Sequence, residues 1–255
     1  MNLAIDIGNT NTCIAVFKGN KIVRRFSQTT NSPPANLINN LRKYEIRHIG
    51  ISSVVPTKTL KWRNILLNNF KADALIISNK TKLPINIKLN NTQTLGADRI
   101  CNAVFGHSYF NPPRNVIVIS LGTANTYDVI LSNGDYIGGM ISPGLSMLAD
   151  SLRLKTALLP LLDIGELKKP VQLIGKNTVS AIRSGIIHSV VFTIKEFIIR
   201  TGKIYGKKFN VILTGRNSEI LRSKLGENIY YLPDSVLYGI NTILNYNIKD
   251  EITNS

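Results

Sequence analysis

The 255-residue sequence is poor in metal-binding and cross-linking side chains, since it has only two cysteines and three histidines. Cys13 and Cys101 lie far apart and neither belongs to a CxxC pair, so the sequence predicts no zinc site and no disulfide framework. The histidines are scattered and none has a neighbour at metal-ligand spacing. A reducing, cytoplasmic location is therefore expected.

Long hydrophobic runs are also lacking. No apolar segment approaches the roughly 20 residues that a membrane-spanning helix needs, so no membrane partner is expected. The N-terminus enters directly a strand-like run that contains an acid, which differs from a secretory signal peptide. The GxSxG turn of α/β hydrolases and the Walker phosphate loop are both missing, which removes two common enzyme classes.

Acidic residues are scarce, because 15 Asp and Glu stand against 31 Lys and Arg and leave a net charge of +16. Such an excess is typical of proteins with anionic partners. It also follows from composition alone, since Lys, Asn and Ile are abundant throughout the chain, as an A/T-rich genome would produce. The basic residues form no stripe interleaved with aromatics, so nucleic acid is not predicted as a partner and both explanations stay open.

A Gly-Thr-Asn segment occurs twice, first at residues 5–12 and again 114 positions later, at 119–126 (5 to 119). In each copy an apolar strand-like run ends in a Gly-polar turn, and a second strand follows. Backbone amides and hydroxyls in such turns bind anions without a basic side chain, so the two turns would suit a polyphosphate. The alternative is a pair of ordinary hairpins.

Strand and helix patterns alternate along the chain and predict an α/β fold. The predicted strands are 3–7, 12–17, 21–26, 48–52, 74–77, 85–89, 115–120, 126–131, 136–141, 210–214 and 229–232. The predicted helices are 34–44, 59–69, 97–109, one after 144, a long one from Thr178, 218–225 and 236–246. A Pro-Pro break at 112–113 predicts two halves, 1–112 and 113–255.

Two acidic positions stand out as candidates for chemistry. Asp6 ends the first strand just before a turn, where a carboxylate can hold Mg²⁺ against ATP phosphates or simply stabilise the turn. Asp98 lies in the first turn of a helix after Gly96, where it can accept a proton from a hydroxyl nucleophile or merely favour the helix terminus. The neighbouring Arg99 can pair with a substrate carboxylate through two hydrogen bonds, or lie on the surface.

The motifs, taken in chain order, resemble those of type III pantothenate kinases, in the acetate and sugar kinase/Hsp70/actin superfamily. They are DIGNT at 6–10, SSVVP at 52–56, GADR at 96–99, GTA at 122–124, GGMISPG at 138–144, TALLP at 156–160 and IGKNT at 174–178, followed by Ala181 and Gly185. The resemblance implies duplicated ribonuclease H-like (actin-like ATPase) domains, with the nucleotide in the cleft between them. It covers nearly the whole chain, and the ordered series is specific although each motif alone is weak.

The resemblance also implies roles for individual residues. The ATP-binding residues would be Asp6, Ile7, Gly8, Asn9, Thr10, Asn11, Thr12, Cys13 and Thr123, with Mg²⁺ near Asp6. The pantothenate-binding residues would be Gly96, Ala97, Asp98, Arg99 and Thr178, with Asp98 as the general base and Thr178 acting across a homodimer interface.

Three positions depart from the family pattern. Ser120 replaces the Asp that in the family binds the activating K⁺ or NH₄⁺ ion, so a hydroxyl without charge occupies that position. The nearby Asp128 either compensates for the lost charge or is an ordinary acid at a strand end. Residues 89–92 replace a segment whose Tyr touches substrate, and Arg216 replaces the second glycine of TGG. The prediction is an ATP-dependent pantothenate kinase of coenzyme A biosynthesis. The alternatives are a catalytically weak regulatory or nucleic-acid-binding relative, and a kinase for another small hydroxy acid.

Overall fold

A computed structural model gives the fold and describes residues 1–253, with side chains described for all of them except Asn36 and 249–253. Its strands are β1 (Asn2–Ile7), β2 (Asn11–Lys18), β3 (Lys21–Thr29), β4 (His48–Ser53), β5 (Ala74–Ile76), β6 (Asn86–Ile87), β7 (Val116–Leu121), β8 (Ala124–Ile130), β9 (Asp135–Pro143), β10 (Asn210–Thr214) and β11 (Ile229–Tyr231). Its helices are α1 (Ala35–Leu41), α2 (Pro56–Phe70), α3 (Ala97–Tyr109), α4 (Leu145–Lys155), α5 (Ile164–Lys168), α6 (Thr178–Tyr205), α7 (Ser218–Leu225) and α8 (Ser235–Thr253).

Every strand and helix that the sequence predicts is present, and the bounds of α3, β10 and α7 agree to the residue. The short helix α5 was not predicted. It begins after Asp163, whose carboxylate accepts the backbone N–H of Glu166 at 2.9 Å. A helix of five residues is too short to show a helical periodicity in the sequence, and a single capping residue does not predict it.

The strands form two sheets of mixed direction. The first has the order β3-β2-β1-β4-β5, in which β1 runs antiparallel to β2 and parallel to β4. The second has the order β11-β10-β7-β8-β9-β6. The parallel β1–β4 pair aligns Asp6 with Ser52, so two polar side chains meet at the end of an otherwise apolar central strand.

Contacts between Cα atoms divide the chain into two compact units. The first comprises Met1–Pro113, Ile130–Gly138 and Asp234–Ser255, and the second comprises Arg114–Val129 and Gly139–Pro233. The units are therefore interleaved in sequence, because α8 returns to the first unit. The division into halves at residues 112 and 113 stays a prediction about the duplication.

Close packing of α8 depends on two glycines in the first unit. A Cβ at Gly50 of β4 would lie 2.7 Å from Ile240 Cγ2, and a Cβ at Gly239 would lie 2.0 Å from the carbonyl oxygen of Cys101 in α3. Any side chain at these positions would push α8 away. The last helix thus packs directly on the strand and the helix that carry the candidate site.

Candidate active site

Asp6 lies near the end of β1 and is half-buried. Ser52, which is fully buried on β4, donates its hydroxyl to Asp6 Oδ1 at 3.0 Å. Burial, and then the negative charge of Asp98, raise the pKa of the Asp6 carboxyl to about 7, while the Ser52 hydrogen bond lowers it. A carboxylate so destabilised by its surroundings favours a cation nearby.

Asp98 faces the same region from the first turn of α3. Its Oδ1 accepts the backbone N–H of Arg99 at 2.9 Å, yet burial raises the pKa of the Asp98 carboxyl above its usual value. The two carboxylates come from residues 92 positions apart (6 and 98), and only the fold brings them together. Two neighbouring acids whose proton affinities are both raised are typical of catalytic sites.

The N-terminus of α3 requires its glycine. Gly96 is the N-cap residue, and a Cβ there would lie 2.5 Å from Asp98 Oδ1. A side chain at position 96 would therefore displace the Asp98 carboxylate. Next along the chain, Ala97 is buried and Arg99 is half-buried, so GADR packs as the start of a helix with its acid beside Asp6.

The first Gly-Asn-Thr turn connects β1 with β2. Gly8 N–H donates to the carbonyl oxygen of Asn11 at 3.0 Å, and the tip residues Asn9 and Thr10 are exposed. Thr12 is fully buried. Cys13 is half-buried and pairs with Asp6 across the β1–β2 ladder, so this turn and the carboxylates occupy one region of the first unit.

The second copy of the turn, in the second unit, has an exposed Thr123 at its tip. Gly144 N–H donates to the Thr123 carbonyl oxygen at 3.1 Å, and the Asn217 side-chain amide donates to the Gly122 carbonyl oxygen at 3.2 Å. Gly215, at φ +89°, lies so close to Leu121 that a Cβ would be 2.6 Å from its backbone nitrogen. The β9–α4 connection, with Gly144, and the β10–α7 connection, with Gly215 and Asn217, therefore pack directly against this turn.

Ser120, the position predicted for a monovalent cation, has a weak set of donors around it. Ser120 is half-buried and offers a neutral hydroxyl. Asp128, on the next strand β8, is fully buried and accepts the Thr126 hydroxyl at 3.3 Å. Because no charged group occupies position 120, these residues fit K⁺ or NH₄⁺ poorly.

Thr178 is exposed at the first position of α6. The cap is Asn177, whose side chain accepts the Ser180 N–H while the Ser180 hydroxyl accepts the Asn177 N–H. Capping therefore does not use the Thr178 hydroxyl. A cavity of about 250 Å³ adjoins this terminus in the second unit, with Lys176 and Arg183 among its lining residues.

The structure groups most predicted residues in the first unit, namely Asp6 to Cys13 and Gly96 to Arg99, whereas Ser120, Thr123 and Thr178 belong to the second. Sequence reasoning quoted Ser52 only within a motif and gave it no role. Cys101 is a fully buried core residue, and burial together with the charges of Asp6 and Asp98 raises the pKa of its thiol well above its usual value. Cys101 lies one helical turn after Asp98 on α3.

No group of three or more His, Cys, Asp or Glu side chains suited to a metal occurs within the described part of the chain. Mg²⁺ fits this arrangement, because it binds through one or two carboxylates and keeps several waters. Within residues 1–253, no helix has the length and apolar character to cross a membrane.

Two mixed sheets with a polar turn in each are the architecture of the actin-like fold class. Solved structures agree on the fold. A ROK hexokinase from Thermus thermophilus aligns at TM-score 0.55 with 12% identity, covering 97% of this chain and 99% of that one. Component A of (R)-2-hydroxyglutaryl-CoA dehydratase from Acidaminococcus fermentans aligns at TM-score 0.58 with 16% identity, covering 98% of each chain. The predicted two-domain ribonuclease H-like fold is confirmed.

Sequence comparison identifies the family. The type III pantothenate kinase family profile matches residues 2–200. A type III pantothenate kinase of Sulfurihydrogenibium is 37% identical over 252 residues, covering 93% of this chain and 98% of the relative. The chain belongs to the type III pantothenate kinase family, as its motifs predict.

Proposed function

We propose that the protein transfers a phosphoryl group from ATP to pantothenate and forms 4′-phosphopantothenate, the first step of coenzyme A biosynthesis. The observation that carries the proposal is the Asp6–Asp98 carboxylate pair beside the first polar turn, in a chain of the type III pantothenate kinase family. Phosphoryl transfer depends mainly on positioning and charge stabilisation, so one base, one metal and phosphate-binding turns are sufficient.

Residues 6–13 would bind the ATP phosphates, with Thr123 contributing from the second unit. Asp6 would hold Mg²⁺, directly or through water, and the bound ion would neutralise charge on the phosphates. The exposed tip, Asn9 and Thr10, offers amides and side chains for the phosphate oxygens. Ser52 orients the Asp6 carboxylate by donating to Oδ1.

Asp98 would act as the general base for the pantothenate hydroxyl. Burial raises the pKa of its carboxyl, which makes the ionised form a stronger base than an exposed aspartate. Gly96 and Ala97 would shape the site, and the Arg99 guanidinium would pair with the pantothenate carboxylate.

The assembly would be a cytoplasmic homodimer in which Thr178 reaches the partner's pantothenate. Support comes from exposed apolar side chains on α6, since Phe192 is 54% exposed and Ile199 is 49% exposed. They lie two helical turns apart on one face. Exposed apolar surface of this kind is typical of protein interfaces.

The poor fit of Ser120 to a monovalent cation supports a further part of the proposal, that turnover depends little on K⁺ or NH₄⁺. A charged ligand is what would favour binding of such an ion at this position, and Ser120 lacks one.

The test is ADP release with ATP, Mg²⁺ and pantothenate, in sodium salts with and without added potassium. Pantothenate-dependent turnover with a flat potassium response is expected. Turnover that requires potassium would contradict the cation proposal alone. Absence of pantothenate-dependent turnover in every salt would contradict the proposed function, and salt-dependent DNA binding would then favour the regulatory alternative.

A further inference from the structure

We propose that Thr30 is a positioning residue for the first polar turn, residues 8–12, and through it for ATP; this inference rests on the proposed function. Thr30 follows β3 and is only 3% exposed. Its backbone N–H donates to the Thr10 carbonyl oxygen at 2.9 Å, and its hydroxyl donates to the Gly8 carbonyl oxygen at 2.7 Å. One residue from outside the turn therefore holds both sides of its tip.

The direction of the neighbouring hydrogen bond follows from counting protons. Thr30 Oγ1 lies 3.2 Å from Thr12 Oγ1. A hydroxyl has one proton, and that of Thr30 is used on Gly8, so Thr12 must be the donor to Thr30. The series of hydrogen bonds therefore runs from Thr12 through Thr30 to Gly8. The Thr12 proton points into the protein, and Thr12 supports ATP from beneath the turn.

The duplicated turn shows the same requirement met by different residues. Gly144 stands 114 positions after Thr30 (30 to 144), and its N–H likewise donates to a tip carbonyl, that of Thr123. A Cβ at Gly144 would lie 2.5 Å from the Gly122 carbonyl oxygen, so no side chain fits there. Asn217 donates to that oxygen instead. In both turns the glycine carbonyl thus accepts a side-chain donor from a distant segment.

Fixing this carbonyl matters for phosphate binding. With the Gly8 oxygen bonded to Thr30 and the Gly8 N–H bonded to Asn11, the exposed residues Asn9 and Thr10 have one arrangement before ATP arrives. Donors positioned in advance need no reorganisation when the anion binds. Without the Thr30 hydroxyl, the buried Thr12 hydroxyl and the half-buried Gly8 carbonyl would each lose this partner, and the turn would shift to satisfy them.

The test replaces Thr30 by Val, which keeps the shape and removes the hydroxyl. We expect the KM for ATP to rise about tenfold, as loss of one buried hydrogen bond would give. We expect the KM for pantothenate and kcat to stay within about twofold, because the carboxylates are untouched. Thr30→Ser keeps the hydroxyl and should restore the KM for ATP. Thr29→Val is the matched control, since Thr29 is exposed and its hydroxyl contacts Ser32.

A folded Thr30→Val protein with an unchanged KM for ATP overturns the inference, as does an equal effect of Thr29→Val. If circular dichroism shows that Thr30→Val is unfolded, Thr30→Cys takes its place. Its weak thiol donor should raise the KM for ATP part of the way, and an unchanged value again overturns the inference. If the wild type has no pantothenate-dependent turnover, calorimetric binding of Mg-ADP decides. Weaker binding by Thr30→Val supports the positioning role and equal binding overturns it, whatever the fate of the proposed function.

Discussion

Asp98 and Asp6 face one another from two segments of the first unit. Asp98 leads to a prediction about turnover, and Asp6 leads to one about the pH dependence of stability. In Asp98→Asn the carboxylate that accepts the proton is lost while the shape is kept. We expect kcat to fall by about 10²–10⁴, the contribution typical of a general base, with little change in the KM for ATP. The measurement is steady-state ADP release, with Asp73→Asn as control, because Asp73 is an exposed partner of Arg63. If Asp98→Asn turns over at close to the wild-type rate, a group other than Asp98 accepts the proton.

Asp6 should make stability depend on pH when no metal is bound. Burial and Asp98 raise its pKa from 3.8 to about 7, so between these values the folded chain holds a proton that the unfolded chain has lost. The free energy of unfolding should therefore fall as pH rises through this window and level off above about pH 7. Asp6→Asn has no such proton. The Tm of the variant minus the Tm of the wild type should therefore increase as pH rises from 4.5 to 7.5.

Thermal unfolding without Mg²⁺ or nucleotide measures this difference. Asp73→Asn is again the control, since Arg63 lowers the pKa of the Asp73 carboxyl to about 2, outside the window. A Tm difference between wild type and Asp6→Asn that stays constant with pH would show that Asp6 is ionised throughout.

The sequence predicts which residues belong to the candidate site, but it does not predict the hydrogen bonds between them. The proposed roles of Asp6, Asp98 and Gly96 come from motifs that are continuous in sequence. The Ser52–Asp6 hydrogen bond and the Thr12–Thr30–Gly8 series join residues from different strands, and their geometry exists only once β1, β2, β3 and β4 are in register.

Helices and strands were predictable where a periodic hydrophobic pattern extended over many residues. Helix α3 has a glycine before it and an apolar stripe along it, which fixed both of its ends. The five-residue α5 has no such stripe, and only the Asp163 cap marks it. The return of α8 to the first unit was not predictable, because its amphipathic pattern does not say which sheet it covers.

Helix α8 provides a test at the scale of elements. In Gly239→Ala the new methyl would meet the Cys101 carbonyl, so α8 and α3 must separate. We expect a loss of about 1–3 kcal/mol in the free energy of unfolding, as in other overpacked contacts, and a fall in kcat because α3 carries Asp98. Chemical denaturation measures the first effect and ADP release the second.

The matched control is Gly202→Ala, also in a helix. A Cβ at Gly202 comes no nearer than 3.3 Å to Lys207 O, so its stability should stay within about 1 kcal/mol of wild type. Equal stability of the two variants would mean that α8 and α3 can separate without cost.

At the scale of the whole molecule, the exposed face of α6 is the surface on which the proposed homodimer depends. Phe192→Glu places a charge on that face and should convert a dimer to monomers, because a buried unpaired charge opposes association. Light scattering after gel filtration measures the mass. Pantothenate phosphorylation should fall with it if Thr178 serves the partner's site.

Leu60→Glu is the control for this change, since Leu60 is 64% exposed on α2 in the first unit. We expect it to leave the mass and the activity unchanged. A dimer that persists in Phe192→Glu would place the interface elsewhere, and a monomeric wild type would remove the proposed role of Thr178 across subunits.

The position of α8 in the chain also bears on how the protein is made. The strand with Asp6 and the helix with Asp98 precede the whole second unit in the chain, whereas the helix that packs against both follows it. The segment of the second unit emerges between them. The first part of the nascent chain must therefore wait, with apolar surface uncovered, until the second unit and then α8 have been synthesised, and a chain that stops before α8 would lack a competent catalytic unit.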